Sequence, residues 1–262
     1  MRRGSALHTA LAVALAACGR VGFEESPLAV DSTCGVPGAL GYWSLNADDL
    51  VGNQVLDRSG RGAHGTLVGA PSPVSAPGQL REALDFTATD LSFVALPSLS
   101  VDPTPGAATT VAMWFFHADP AVDDTLIYLP PGPGTEPPRY DLWLTTDVPA
   151  STVTPGTPSL CINTGLGDCW GITDAGLIGR WVHVVAVFVN GPTTGGTLYV
   201  DGAPASMACR FGTCDQSRTV AAPFTLGGND ELYAWHGLLD DVRIFDRALT
   251  AGEAATLAAC VP

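Results

Sequence analysis

The sequence predicts an all-β sandwich or barrel followed by one short C-terminal helix. Three observations carry that expectation. About a dozen short segments rich in aromatic and β-branched residues recur between turn signals. No long stretch has the 3.6-residue apolar period of a helix. Gly and Pro, 30 and 21 of the 262 residues, supply turns throughout. A chain that is 46% apolar and 15% charged is globular rather than disordered, and its length suits a single domain of this class.

The predicted strands, in order, are residues 40–45, 66–68, 83–86, 92–96, 109–116, 126–129, 140–145, 181–189, 197–200, 224–226 and 238–245. Residues 181–189 (WVHVVAVFV) are apolar on both alternating sets, which places them mid-sheet with both faces covered. Asp201-Gly202, directly after residues 197–200, is a two-residue hairpin signal, because a type I′ turn needs positive φ at both central positions. Residues 130–138 and 149–158 carry too many prolines for central strands and read as surface loops. Near the end, Thr250 and Glu253 form a capping box ahead of residues 254–257, which predicts the helix. No internal repeat divides the chain.

At the N-terminus, Arg2 and Arg3 precede an apolar run over residues 6–17, broken only by His8 and Thr9. That is the charge-then-apolar order of a secretory signal, and the run falls well short of the ~20 residues a membrane-crossing helix needs. It ends in Leu15-Ala16-Ala17-Cys18, which resembles the bacterial lipobox. The resemblance implies cleavage before Cys18 and diacylglycerol on its thiol, and several acyl chains would anchor the protein firmly. An ordinary signal with an accidental cysteine is the alternative, and it leaves an odd thiol in an exported chain. The expected division is a lipoprotein signal peptide at 1–17, a lipid-anchored tether at 18–33 and a β-sandwich at 34–262. Gly19 stands where an inner-membrane retention Asp would sit, so the expected location is the cell envelope, at the outer membrane.

All 12 basic residues are Arg, against 26 Asp and Glu, for a formal charge of −14. Removal of residues 1–17 would take away Arg2 and Arg3 and leave ten Arg against those 26 acids, a charge of −16. Nucleic acid and anionic lipid headgroups, which need a basic surface, are poor partners for such a chain. Cations and neutral polymers suit it better.

With Cys18 set aside, Cys34, Cys161, Cys169, Cys209, Cys214 and Cys260 remain, an even number suited to an oxidising compartment. Spacing favours Cys161 with Cys169 and Cys209 with Cys214, each closing a short loop, and Cys34 with Cys260 tying the ends together. Zinc is the competing reading, but no pair has the C-x₂-C spacing.

Three groups of residues then carry a family resemblance. They are Gly41-Tyr42-Trp43-Ser44-Leu45, the loop from Asp57-Arg58-Ser59-Gly60 to His64-Gly65-Thr66-Leu67, and Gly237-Leu238-Leu239-Asp240-Asp241-Val242-Arg243-Ile244-Phe245 with Asp246-Arg247-Ala248-Leu249. With Ala83 to Phe86, Val111 to Trp114, Trp181 to Val184 and Leu198 to Gly202 between them, the order resembles a laminin-G-like jelly roll of the concanavalin A-like lectin/glucanase superfamily. The resemblance implies a two-sheet antiparallel β-sandwich with its first and last strands adjacent, which would also bring Cys34 near Cys260.

The resemblance further implies a structural calcium ion between the loop holding Asp57 and the strand holding Asp240, since calcium takes six to eight hard oxygen ligands. Arg61 and Ala63 stand where many relatives have Asn, which weakens a cation site. The alternative is that Asp57 and Ser59 satisfy a tight turn while Asp240 sits against Arg243 or a backbone amide. Catalysis finds little support. The E-x-D-x-x-E strand of the superfamily's glucanases is missing, and Asp240 and Asp241, as strand neighbours, point to opposite faces. No G-x-S-x-G occurs, and His183 in Trp-Val-His-Val reads as a packed strand residue.

Lectins of this class recognise sugars with an aromatic ring and a few polar groups. Trp170, in a small stapled loop, and Tyr233, Trp235 and His236, ahead of the last strand, are the candidates, while Trp43, Trp114 and Trp181 belong to the core. The expected function is that of a non-enzymatic envelope lipoprotein whose sandwich binds carbohydrate or another extracellular partner. The alternatives are a structural or protein-interaction component without a small ligand and, as a minor reading, a divergent polysaccharide hydrolase.

Overall fold

Among the described residues, two large antiparallel sheets stack as a sandwich, with a separate two-stranded ribbon and one α-helix after the last strand. The computed structural model describes residues 34–69, 74–87, 92–119, 121–129, 140–148, 154–163, 168–228 and 234–260. Cys18, Tyr233, the N-terminal signal and tether, and the loop at 130–138 lie outside them.

In chain order the strands are β1 (Gly41–Trp43), β2 (Leu50–Val51), β3 (Gln54–Val55), β4 (Gly65–Val68), β5 (Val74–Pro77), β6 (Glu82–Asp85) and β7 (Phe93–Ala95). They continue as β8 (Ala108–Phe116), β9 (Asp123–Leu129), β10 (Tyr140–Thr145), β11 (Ser159–Asn163), β12 (Cys169–Thr173) and β13 (Trp181–Val189). The remainder are β14 (Gly191–Pro192), β15 (Thr197–Val200), β16 (Ala203–Pro204), β17 (Ala208–Phe211), β18 (Ser217–Arg218), β19 (Thr225–Leu226) and β20 (Leu238–Phe245), before helix α1 (Ala251–Ala258). The smaller sheet runs β16-β15-β13-β8-β20-β6-β5 with β1 also paired to β20, and the larger runs β17-β12-β11-β10-β9-β19-β7-β4-β3-β2.

β13 sits between β8 and β15, as its two-sided apolar pattern requires. Val182, Val184, Ala186 and Phe188 enter the core between the sheets. On the other face, Val185 joins a second cluster beneath α1, with Trp114, Ala254 and Leu257. His183 is 1% exposed and stacks edge-on to Trp114, and burial drives its imidazole down to about 3, so it is a neutral packing residue.

The first and last strands are neighbours: Tyr42 faces Arg243 across β1 and β20. The Cys34–Cys260 bridge follows from this, with Cα atoms 5.3 Å apart. Cys161–Cys169 and Cys209–Cys214 are also bonded, at Cα separations of 5.0 and 5.8 Å. Asp201 and Gly202 take φ of 50° and 78° between β15 and β16, the positive pair a type I′ turn needs. Thr250 caps α1 by accepting from the Glu253 amide, and the Glu253 carboxylate accepts the Thr250 amide in return.

The structure corrects one local expectation. Cys169 and Trp170 belong to strand β12, paired with β11, and not to a loop. Cys and Gly dilute the β signal in CWGIT, so the pairing partner rather than local propensity decides the conformation.

Candidate functional site

Leu142 and Leu144 of β10, and Leu160 and Ile162 of β11, point into the core. By the two-residue period of a strand, Asp141, Trp143 and Thr145, and Ser159, Cys161 and Asn163, therefore stand on the outer face of the larger sheet. Register aligns these side chains in three rows. Tyr128 of β9 faces Asp141, which faces Asn163; Thr125 faces Trp143, which faces Cys161; and Asp123 faces Thr145, which faces Ser159. Ser159 continues to Thr173 of β12, and their hydroxyls lie 2.8 Å apart.

Tyr128 and Trp143 are half-buried on this face, whereas Asp141 and Asn163 are 1% and 6% exposed. The Trp143 Nε1 is shielded from solvent and lies near the Asp123 carboxyl. Partial burial pushes the Asp123 carboxyl up; the Thr145 hydroxyl opposes the shift, and the charges of Asp147 and Asp124 add to it. The Cys161–Cys169 bridge, packed under Val148, joins β11 to β12 on the same side. Two aromatic rings flanked by hydrogen-bonding side chains on a stapled sheet can hold a flat, polyhydroxylated molecule.

The residues singled out from sequence fall elsewhere. Trp170 aligns with Ile162 and so points toward the opposite sheet, where its Nε1 donates to the Gly196 carbonyl at 3.0 Å. Trp235 is 0% exposed, edge-on to His117 at 5.0 Å and to Phe115 at 5.9 Å between ring centres, so no face of its ring meets solvent. His236 is exposed, and its Nδ1 lies 3.0 Å from Oδ2 of Asp124. Trp170 lies on β12 of the larger sheet, whereas the adjacent Trp235 and His236 precede β20 of the smaller one, and Tyr233 lies outside the described residues.

Asp57 sits behind β1. Its Oδ1 accepts from the amides of Tyr42 and Ser59 at 2.9 and 2.8 Å, and its Oδ2 accepts the Ser59 hydroxyl and the Ala63 amide at 2.7 and 2.8 Å. Burial alone would raise this carboxyl, but the four donors outweigh burial and hold it below the usual range. A carboxylate offers about four acceptor positions, and all four are taken. Asp240 lies beside the turn at Leu80, whose amide donates to its Oδ2 at 2.7 Å. The residues present therefore do not fit a calcium ion shared by these two carboxylates. Among the described residues, no group of three or more His, Cys, Asp or Glu side chains is placed to hold a metal.

Comparison with known proteins accounts for this architecture. A family described as the concanavalin A-like lectin/glucanases superfamily matches residues 90–255, well over half of the chain. The chain belongs to that superfamily. No curated protein matches the sequence. Domain 4 of AbnA, a GH43 extracellular arabinanase from Geobacillus stearothermophilus solved with arabinotriose, is similar at 18% identity and a TM-score of 0.53, covering 84% of this chain and 98% of that one. Trypanosoma rangeli sialidase in complex with the inhibitor DANA is similar at 16% identity and a TM-score of 0.54, over 83% of this chain but 32% of the sialidase. The binding domain of Paraclostridial Mosquitocidal Protein 1 is similar at 12% identity and a TM-score of 0.54, over 84% of this chain and 52% of that one. At these identities the likeness concerns the fold.

Within this superfamily member, the outer-face residues Tyr128, Asp141, Trp143 and Asn163 went unnoticed in the sequence. The signal was present in YDLWLT: Leu142 and Leu144 alternate with Asp141 and Trp143, so burying the leucines turns the tryptophan outward.

Proposed function

We propose that the outer face of the larger sheet binds a neutral glycan chain, with Trp143 and Tyr128 as stacking platforms and the exposed Asp123 and half-buried Thr173 as hydrogen-bonding partners for sugar hydroxyls. The observation that carries this reading is the pair of half-buried aromatics on one face of adjacent strands, flanked by polar side chains in register. The arabinotriose complex of the similar AbnA domain supports a carbohydrate as the ligand class.

The module acts by binding rather than by hydrolysis. Asp123 and Asp141 share the face, but Thr145, the partner of Asp123, lies four residues along β10 from Asp141. That is a separation of about 13 Å at strand rise, beyond the ~9.5 Å limit for a glycosidase carboxylate pair. Lipid on Cys18 would display the module at the cell envelope, on the outer membrane, where extracellular polysaccharide is available.

Titration of the full chain with arabino-oligosaccharides by calorimetry tests this reading. The expected result is a saturable heat that Trp143→Ala reduces at least tenfold without unfolding the domain. Equal affinity in the variant, or no binding across a panel of neutral glycans, would overturn it.

A further inference from the structure

A pocket lies at the β1 edge of the smaller sheet. It is lined by Tyr42, Arg58, Ser59, Arg61 and Arg243, and walled by the chain from Cys34 to Ala39. Three of the eight arginines among the described residues meet here, in a chain of charge −14.

Two of the three guanidinium groups are fixed from behind. Arg58 pairs with Asp49, and Arg243 donates to Asp241 while lying 4.2 Å from the centre of the Tyr42 ring. Asp57, the remaining nearby carboxylate, is spent on its four internal donors. Arg61 is exposed, and its guanidinium has no hydrogen-bond or ion-pair partner among the described residues. Each of the other seven arginines has at least one. An anchored pair of planar cations beside an aromatic ring, with an uncommitted third at the mouth, matches a carboxylate carried on a ring.

We propose that this pocket binds the carboxylate of a uronic acid residue in an acidic polysaccharide. Arg61 grips the carboxylate, Arg58 and Arg243 orient it, and the Tyr42 edge takes the sugar body. The inference shares with the proposed function only the premise that the ligand is a saccharide. It concerns a different edge of the sandwich and a charged sugar.

Calorimetry of the full chain with trigalacturonate, its methyl ester and inorganic sulfate at matched ionic strength tests it. Trigalacturonate is expected to bind at least tenfold more tightly than the ester, to weaken as salt rises, and to lose at least tenfold in affinity in Arg61→Glu. Arg61 is exposed and its guanidinium has no hydrogen-bond or ion-pair partner among the described residues, so that variant should fold normally. Equal binding of acid and ester, or an unchanged Arg61→Glu, would overturn the proposal. Displacement of trigalacturonate by an equimolar amount of sulfate would reduce the pocket to a simple anion site and overturn the sugar assignment. The neutral-glycan reading fails separately: arabino-oligosaccharide binding should vanish in Trp143→Ala and persist in Arg61→Glu, whereas trigalacturonate should behave in the opposite way.

Discussion

Asp124 of β9 reaches across the end of the sandwich to His117, which follows β8 in the other sheet, with Oδ2 3.0 Å from Nε2. The Asp119 amide donates to Nδ1 of His117 at 3.1 Å, so in the neutral ring Nε2 carries the proton and donates to Asp124. The His236 amide donates to the same Oδ2 at 2.7 Å. One carboxylate therefore ties β9 to the ends of β8 and β20. Burial alone would raise its titration point, but these donors hold it below the ordinary value. A depressed carboxyl stabilises the fold fully above the unfolded value near pH 4 and loses that contribution as pH falls through the folded value. Asp124→Asn should cost about 2 kcal/mol in urea unfolding at pH 7, and the gap should narrow at pH 3. An equal gap at both pH values would count against the clamp.

Asp240 behaves in the opposite sense. Burial pushes its carboxyl up to about 7, with the Leu80 amide opposing the shift and the charge of Asp241 adding to it. Its Oδ1 is buried with no hydrogen-bond partner among the described residues. A raised carboxyl favours the fold below the unfolded value near pH 4, and that advantage disappears as pH rises to about 7. Asp240→Asn cannot ionise. Its stability relative to the parent chain should therefore improve between pH 4 and pH 8, by on the order of 2–4 kcal/mol. Denaturant midpoints at the two pH values give the answer, and a constant offset would refute it.

What the sequence made legible were features decided by short-range chemistry. Residues 181–189, Asp201-Gly202 and the Thr250–Glu253 box each carry their own geometric requirement, and each is found in place. The cysteine pairs followed from spacing and from the adjacency of the end strands. The aromatic candidates did not follow in this way. Whether Trp235 meets solvent depends on Phe115 and His117, which lie more than 100 positions away in sequence and reach it only through the pairing of β8 with β20. Trp170 reads as part of a small stapled loop, yet pairing with Ile162 turns it inward.

The three bridges should differ in worth. Cys34 and Cys260 are 226 positions apart, whereas Cys209 and Cys214 are 5 apart. In the chain-entropy account, losing the first costs about 5 kcal/mol and losing the second about 2. Urea unfolding of Cys34→Ser/Cys260→Ser and of Cys209→Ser/Cys214→Ser compares them directly. Equal losses would mean that native-state packing, rather than restriction of the unfolded chain, sets the effect.

Trp235 and Trp143 separate stability from recognition. Trp235 is fully buried against Phe115 and His117, so Trp235→Ala empties a volume that the surrounding rings cannot close. A loss of about 3–5 kcal/mol is expected, with arabino-oligosaccharide affinity unchanged within about twofold where the variant remains folded, since the ring faces no ligand surface. Trp143 is half-buried on the outer face, where truncation removes a stacking platform and little core volume. Trp143→Ala should therefore leave the unfolding midpoint nearly in place while affinity falls tenfold or more. If Trp235→Ala abolished binding in folded protein while Trp143→Ala did not, the recognition surface would lie at the β20 end of the sandwich and not on the face of β9, β10 and β11.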